Sequence, residues 1–134
     1  RGIQPAMATF ISGGKTVSQV LAEAGGKVPF MAMDELCRRI SARANAFVIL
    51  DVRESEAYAA GHIPGAVHLP RGQLELRVNQ VFPDPSVEIL TVCEFGKIST
   101  LAAATLSELG FRRVTALDGG MAAWREQGNP LQEG

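Results

Sequence analysis

The chain has 134 residues, of which 46% are hydrophobic and 20% charged, as is usual for one soluble globular domain. Its formal net charge is −1 and it has no dense basic cluster, which argues against nucleic-acid binding. No apolar run approaches the roughly 18 residues that a membrane-spanning helix needs, so no membrane association is expected. These features leave the oligomeric state open.

Cysteine content favours a reduced protein, because Cys37 and Cys93 are too few for a disulfide framework. We therefore predict a cytoplasmic location, with the periplasm as the alternative. Since the first residue is Arg1 rather than Met, we expect an N-terminus that has been processed, truncated or engineered. Residues 1–8 lack the apolar core of a secretory signal.

The first 27 residues are predicted to be an extension that precedes a domain of residues 28–134. Residues 1–14 show no clear hydrophobic periodicity and indicate a partly ordered segment. Residues 16–24 have apolar spacing that predicts a short helix, ended by the glycine pair at 25–26.

Strands and helices alternate through the rest of the chain. A strand at 28–32 would be confined to a sheet edge by Pro29, and Asp34 is predicted to cap a helix that runs to Ala44. Further strands are predicted at 47–52, 66–69, 88–92 and 114–117, and helices at 54–60, 72–81, 99–109 and 120–127. This alternation predicts an α/β fold of three layers, with a mainly parallel sheet of about five strands and helices on both faces. Ligands bind such sheets at the carboxyl ends of the strands.

Cys93 follows the apolar strand 88–92 at such a carboxyl end and precedes a loop and a helix. Free backbone N–H groups at a helix N-terminus, together with the helix dipole, stabilise a thiolate, which is the nucleophilic form of cysteine. Gly96 permits the positive φ that a loop around one sulfur needs. Ser99 is placed either to cap the helix or to donate its hydroxyl to the pocket. The alternative is that Cys93 is only a small buried hydrophobe.

Four separated segments carry recognisable motifs: LDVRE at 50–54, YAAGHIPGA at 58–66, CEFGKIS at 93–99 and LDGGMAAW at 117–124. They resemble, in the same order, the D-x-R, G-H-I-x-G-A, C-x-x-G-x-x-S and L-x-G-G-x-x-A-W motifs of the rhodanese family of sulfurtransferases. We therefore expect a rhodanese-like fold.

The resemblance implies a thiosulfate sulfurtransferase without a cofactor. Cys93 would take a sulfane sulfur from a small sulfur-containing anion or a persulfide donor and become a persulfide. A thiol, cyanide or a protein would then accept the sulfur, which gives ping-pong kinetics. The alternative is a persulfide carrier or a non-catalytic protein-interaction module of the same fold.

The implied binding loop consists of Glu94, Phe95, Gly96, Lys97, Ile98 and Ser99. Its amides would hold the transferred sulfur. Rhodanese loops often carry Arg just before the serine, and this chain has Ile98 there. We therefore expect Lys97 to be the nearest cation, Glu94 to oppose anions, and thiosulfate activity to be weak.

Other polar residues have structural interpretations. Asp51 and Arg53 either line the mouth of the site or form an ion pair, and we favour the ion pair. His62 belongs to a turn and His68 to a strand, so both are predicted to be structural.

The remaining candidates were weighed in the same way. Cys37 lies on the apolar face of its helix and is predicted to be a core residue, with a resolving thiol for Cys93 as the alternative. Trp124 is predicted to anchor the last helix on the sheet. The cysteines and histidines lack metal-ligand spacing, so no metal site is expected. A phosphatase or arsenate reductase would need His before the cysteine and a closing Arg, where this chain has Val92 and Ser99.

Overall fold

A computed structural model describes residues 14–43 and 46–134 of the chain. Residues 1–13 of the predicted extension and the predicted helix end at Ala44 lie outside the described residues. None of the described helices is long and apolar enough to cross a membrane.

Six α-helices and five strands make up the described part of the chain. The strands are β1 (Phe30–Met31), β2 (Phe47–Asp51), β3 (Val67–His68), β4 (Glu88–Val92) and β5 (Arg113–Leu117). The helices are α1 (Val17–Lys27), α2 (Met33–Ser41), α3 (Ser55–Ala60), α4 (Leu74–Val81), α5 (Lys97–Glu108) and α6 (Gly120–Glu126). A 3₁₀ turn at Arg71–Gln73 leads into α4.

All strand pairs of the sheet are parallel, in the order β1-β5-β4-β2-β3. The predicted α/β class and five-stranded sheet are therefore confirmed. Strand β1 lies at the edge, as Pro29 requires, because proline cannot donate to a neighbouring strand. Asp51 pairs in register with Val92, so the carboxyl ends of β2 and β4 lie side by side.

The sheet is covered on both faces, and alternate residues of β4 face different cores. Ile89 belongs to a first core with residues of α4 and α5, and Leu90 belongs to a second core with residues of α2 and α6. Trp124 is 2% exposed in the second core, and its indole N–H donates to the carbonyl of Pro130 at 2.8 Å. The predicted anchoring role of this tryptophan is confirmed.

Helix α1 begins as the apolar spacing predicts but ends later. Thr16 caps it through a reciprocal capping box with Gln19. The prediction that Gly25 and Gly26 end the helix is wrong, because α1 continues to Lys27. Each glycine costs a helix about 1 kcal/mol relative to alanine, and the packing of α1 on α5 with burial of Ala24 offsets this cost.

Predicted helix starts also differ from the structure. The helix predicted from residue 72 begins at Leu74, because residues 71–73 form a 3₁₀ turn. Helix α2 begins at Met33 with Ala32 as its N-cap, so Asp34 lies in the first turn and does not cap the helix. Its negative charge there interacts favourably with the positive end of the helix dipole. Helix α5 begins at Lys97 with Gly96 as its N-cap, at φ 109°. This left-handed glycine turns the chain into the helix before Ser99, which therefore does not cap it.

Candidate active site

Cys93 ends β4 and its sulfur is surrounded by hydrogen-bond donors. The backbone N–H groups of Gly96 and Ser99 donate to the sulfur, with nitrogen–sulfur distances of 3.1 and 3.2 Å. The Ser99 hydroxyl lies 3.3 Å from the sulfur and accepts from the thiol while it donates to the Gly96 carbonyl. A hydroxyl can rotate, so in the thiolate state it becomes a third donor to the sulfur. Cys93 is 3% exposed and lies at the N-terminus of the 12-residue helix α5.

The loop is held in this shape by contacts to its carbonyl groups. Thr100 donates from both its N–H and its hydroxyl to the carbonyl of Gly96, at 3.2 and 2.6 Å. Thr91 donates its hydroxyl to the carbonyl of Ser99 at 2.8 Å. The donors that face the Cys93 sulfur are therefore fixed before any substrate arrives.

The start of α6 supports the loop from the other side. Met121 and Ala122 donate their N–H groups to the carbonyls of Cys93 and Glu94, at 2.9 and 3.0 Å. Gly120 has φ 59°, and a Cβ there would lie 2.5 Å from the Cys93 carbonyl oxygen. Sequence reasoning used this glycine only as part of a motif and missed its contact with the loop. The signal available was a glycine pair directly after β5, at the sheet edge where Cys93 lies.

A cavity of about 290 Å³ opens at Cys93. Its lining consists of Val52, Arg53, Glu54, Ala57, Arg71, Cys93, Glu94 and Ile98. Lys97, predicted to be the nearest cation, does not line this cavity, and the cations in its lining are Arg53 and Arg71. Arg71 was missed by sequence reasoning, since it belongs to no motif and reaches the site only through the fold.

Asp51 and Arg53 form a buried ion pair, as predicted, and Arg53 also lines the cavity. Its Nε and Nη2 atoms donate to the Asp51 carboxylate at 2.8 to 3.2 Å, and Nη2 donates to the Gly61 carbonyl at 2.8 Å. Its Nη1 atom lies 3.4 Å from Glu94, which also pairs with Arg125. The expectation that Glu94 opposes anions is therefore corrected, because two guanidinium groups balance its charge.

Both histidines take structural positions, as predicted. They stack on opposite sides of the structural ring of Tyr58, at centroid distances of 3.7 Å for His62 and 4.4 Å for His68. One ring nitrogen of each histidine donates to a backbone carbonyl at 2.8 Å: Nδ1 of His62 to Tyr58, and Nε2 of His68 to Arg53. Tyr58 donates its hydroxyl to Ala66 at 2.6 Å, and burial, aided by the negative charge of Asp51, raises the pKa of this phenol.

Cys37 is half-buried and packs against the second core, as predicted, whereas Cys93 belongs to the first core. The sheet therefore separates the two side chains. A disulfide needs Cα atoms within about 7 Å and side chains that point at each other, so this arrangement does not support the resolving role for Cys37.

Comparison with known proteins identifies the class. The rhodanese-like domain family model matches residues 33–127, which is more than half of the chain. The chain belongs to the rhodanese-like domain family.

Individual relatives agree with this assignment. The chain is 40% identical to the thiosulfate sulfurtransferase GlpE of Pseudomonas entomophila (strain L48), over 64% of this chain and 77% of GlpE. It is 34% identical to YrkF of Bacillus subtilis (strain 168), whose name describes a sulfur carrier, over 77% of this chain and 54% of YrkF. This chain thus spans about half the length of YrkF.

Among solved structures, a Rhodopseudomonas palustris CGA009 protein of unknown function, described as a possible tyrosine phosphatase, has a TM-score of 0.82 to this chain. The two are 26% identical, and the alignment covers 88% of this chain and 95% of that one. The shared architecture extends over most of both chains.

Proposed function

We propose that this protein is a thiosulfate sulfurtransferase that carries sulfane sulfur as a persulfide on Cys93. The observation that carries the proposal is the convergence of two backbone N–H groups and one hydroxyl on a single buried sulfur. This sulfur also lies at a helix N-terminus, which favours negative charge. Similarity to GlpE supports the same activity.

The proposed reaction has two transfers. The Cys93 thiolate attacks the outer sulfur of thiosulfate, so a sulfur–sulfur bond to Cys93 forms while the bond to the sulfonate sulfur breaks. Sulfite leaves with that electron pair, and the cysteine persulfide anion remains. An acceptor such as cyanide, a thiol or a protein thiolate then attacks the terminal sulfur, and the Cys93 thiolate is released.

The loop suits a persulfide better than a phosphoester. Its N–H groups close on the cysteine sulfur itself, with nitrogen–sulfur distances of 3.1 and 3.2 Å. Residues 94–99 contain no arginine, the side chain that binds a phosphate dianion in bidentate fashion. We therefore do not extend the phosphatase description of the Rhodopseudomonas palustris protein to this chain.

A persulfide carrier that is loaded by another protein is the second candidate. Residues 94–99, which follow Cys93, form the cysteine loop. Two apolar residues of this loop, Phe95 and Ile98, are 72% and 49% exposed, and large apolar groups beside a reactive site suit a protein partner. The name of YrkF supports this candidate. Both cysteines are free thiols, which suits the reduced cytoplasmic location that the sequence predicts.

Intact-mass measurement after exposure to thiosulfate tests the proposal. We expect the wild-type chain to gain one sulfur atom and to lose it on addition of cyanide, with thiocyanate as product. Cys93→Ser should show neither event, whereas Cys37→Ser should behave like wild type. A mass gain that survives in Cys93→Ser would contradict the proposal.

The same measurement separates the alternatives. A carrier would gain sulfur only when a desulfurase that forms a persulfide is added, and thiosulfate alone would have no effect. A pure interaction module would gain sulfur from neither source.

A further inference from the structure

If the sulfur donor is an anion, the cavity at Cys93 needs a cation to bind it, and Lys97, the one cation of residues 94–99, does not line that cavity. Ile98 stands where an arginine would be expected, and its side chain lines the cavity as an apolar wall. Only two positively charged residues of the described chain line this cavity, Arg53 and Arg71. Their surroundings differ.

Arg53 is already neutralised. Three hydrogen bonds join its guanidinium to Asp51, a fourth joins it to the Gly61 carbonyl and a fifth joins it to Glu94. The residue is 8% exposed. A guanidinium that is buried against two carboxylates has little attraction left for a further anion, and its displacement would leave a buried charge unpaired.

Arg71 is held at the cavity but retains free donors. Its backbone N–H donates to Val52, another lining residue, at 2.9 Å, which fixes the 3₁₀ turn beside the end of β2. Its guanidinium donates to Glu75 at 3.0 Å and to the Thr105 hydroxyl at 3.1 Å. Of the five N–H donors of a guanidinium, the other three have no partner among the described residues.

The charge of Arg71 is only weakly offset. Glu75 is its carboxylate partner within the described chain, and the side chain of Glu75 is 51% exposed. An ion pair that is open to water is strongly screened. The Arg71 side chain is 29% exposed, so solvent and small anions can reach it.

We propose that Arg71 is the anion-recognising residue of the Cys93 cavity, and that it selects sulfur donors whose leaving group is anionic. This inference rests on the proposed function. As the thiolate attacks, the electron pair of the broken sulfur–sulfur bond moves onto the leaving group, where negative charge grows. Arg71 stabilises that charge and so accelerates the first transfer, whereas the charge that develops on release of the sulfur is that of the Cys93 thiolate, which the loop donors hold.

Alkylation of Cys93 tests this role without any sulfur transfer. In a Cys37→Ser background, Cys93 is alkylated either with anionic iodoacetate or with neutral iodoacetamide. The rate constant for iodoacetate divided by that for iodoacetamide reports how strongly the Cys93 cavity attracts anions. Loss of a charge-assisted contact in Arg71→Gln should lower this ratio by about five- to tenfold, and Arg71→Lys should restore most of it.

Arg77→Gln is the matched control. Arg77 lies on α4, is hydrogen-bonded to Gln73 and does not line the cavity, and its substitution changes the net charge by the same amount. The ratio should stay at its wild-type value in this variant. An unchanged ratio in Arg71→Gln, or an equal fall in Arg77→Gln, would overturn the inference.

Persulfide formation separates failure of the inference from failure of the proposed function. Arg71→Gln should slow sulfur loading from thiosulfate by a factor similar to the fall in the alkylation ratio, while removal of the sulfur by an uncharged phosphine, which becomes a phosphine sulfide and releases the Cys93 thiolate, keeps its rate. If loading is equally fast in wild type and Arg71→Gln, the inference fails and the proposed function stands. If no variant is loaded but the alkylation ratio still falls, Arg71 recognises anions and the proposed function fails.

Discussion

The two cysteines of this chain show how the same side chain acquires different chemistry from its surroundings. Cys93 lies at the start of α5, where two backbone N–H groups and a hydroxyl meet its sulfur. Cys37 lies within α2, where the backbone N–H groups are used by the helix itself, and its side chain packs against the second core. Cys37 also lines a surface cavity, together with Arg38, Ser41 and Ala42.

Position in the fold, more than burial, distinguishes the two thiols. Cys93 is the more buried of the two, yet its sulfur is the one that meets hydrogen-bond donors fixed by the loop. Three substitutions around Cys93, each with a matched control, test this contrast between the two thiols.

Gly120→Ala should have the largest effect, because its new Cβ would lie 2.5 Å from the Cys93 carbonyl oxygen and 2.6 Å from that of Glu94. The loop or α6 must move, and we expect a loss of more than about 2 kcal/mol in the free energy of unfolding. Chemical denaturation measures that loss. Persulfide formation at Cys93 should fall with it, while alkylation of Cys37 under native conditions keeps its rate.

The control is Gly25→Ala in α1, where a Cβ meets nothing within 4 Å. Alanine favours a helix by about 1 kcal/mol over glycine, so this variant should be as stable as wild type or more stable. Wild-type stability in Gly120→Ala would contradict the close contact between α6 and the cysteine loop.

Ser99→Ala removes one of the three donors and leaves the backbone N–H in place. We expect sulfur loading of Cys93 to slow by about tenfold, since a hydrogen bond to a charged group contributes about 1.5–3 kcal/mol and part of this is recovered from the remaining donors. Ser41→Ala, beside Cys37, should leave the alkylation rate of Cys37 unchanged. Equal loading rates for Ser99→Ala and wild type would remove the hydroxyl from the proposed mechanism.

Ile98→Arg should have the smallest effect and the opposite sign. A cation on the cavity wall should raise kcat/KM for thiosulfate by about threefold, because this half-exposed position is partly screened by water. Ile40→Arg on α2 adds the same charge near Cys37 and should leave kcat/KM unchanged. A lower or unchanged value in Ile98→Arg, with folding intact, would argue against anion capture as the limiting step.

Much of this fold follows from local patterns. The bounds predicted for β4 match the structure, since Ile89, Leu90 and Val92 supply the apolar side chains that a strand covered on both faces requires. The predicted helix end at Gly25–Gly26 and the predicted N-cap at Asp34 were both wrong, because capping signals are weak. Each contributes about 1 kcal/mol, and packing of the whole helix decides between neighbouring ends.

The candidate site divides along the same line. Cys93, Gly96 and Ser99 lie within seven residues, so local sequence was enough to predict that a cysteine loop with a glycine turn leads into a helix. The four motifs in order were enough to predict the family. The roles of these residues in sulfur transfer stay predictions.

The charges around that loop, in contrast, come from residues that the fold brings together from distant parts of the chain. The sequence predicts that the negative charge of Glu94 repels anions. In the structure this charge is balanced by Arg53 and Arg125, which lie 41 and 31 residues away along the chain. Arg71 reaches the same cavity from a turn after β3, and Gly120 reaches the loop from α6. Charges and contacts act through space, and a parallel sheet brings the ends of distant strands together, so no local pattern could assign these partners.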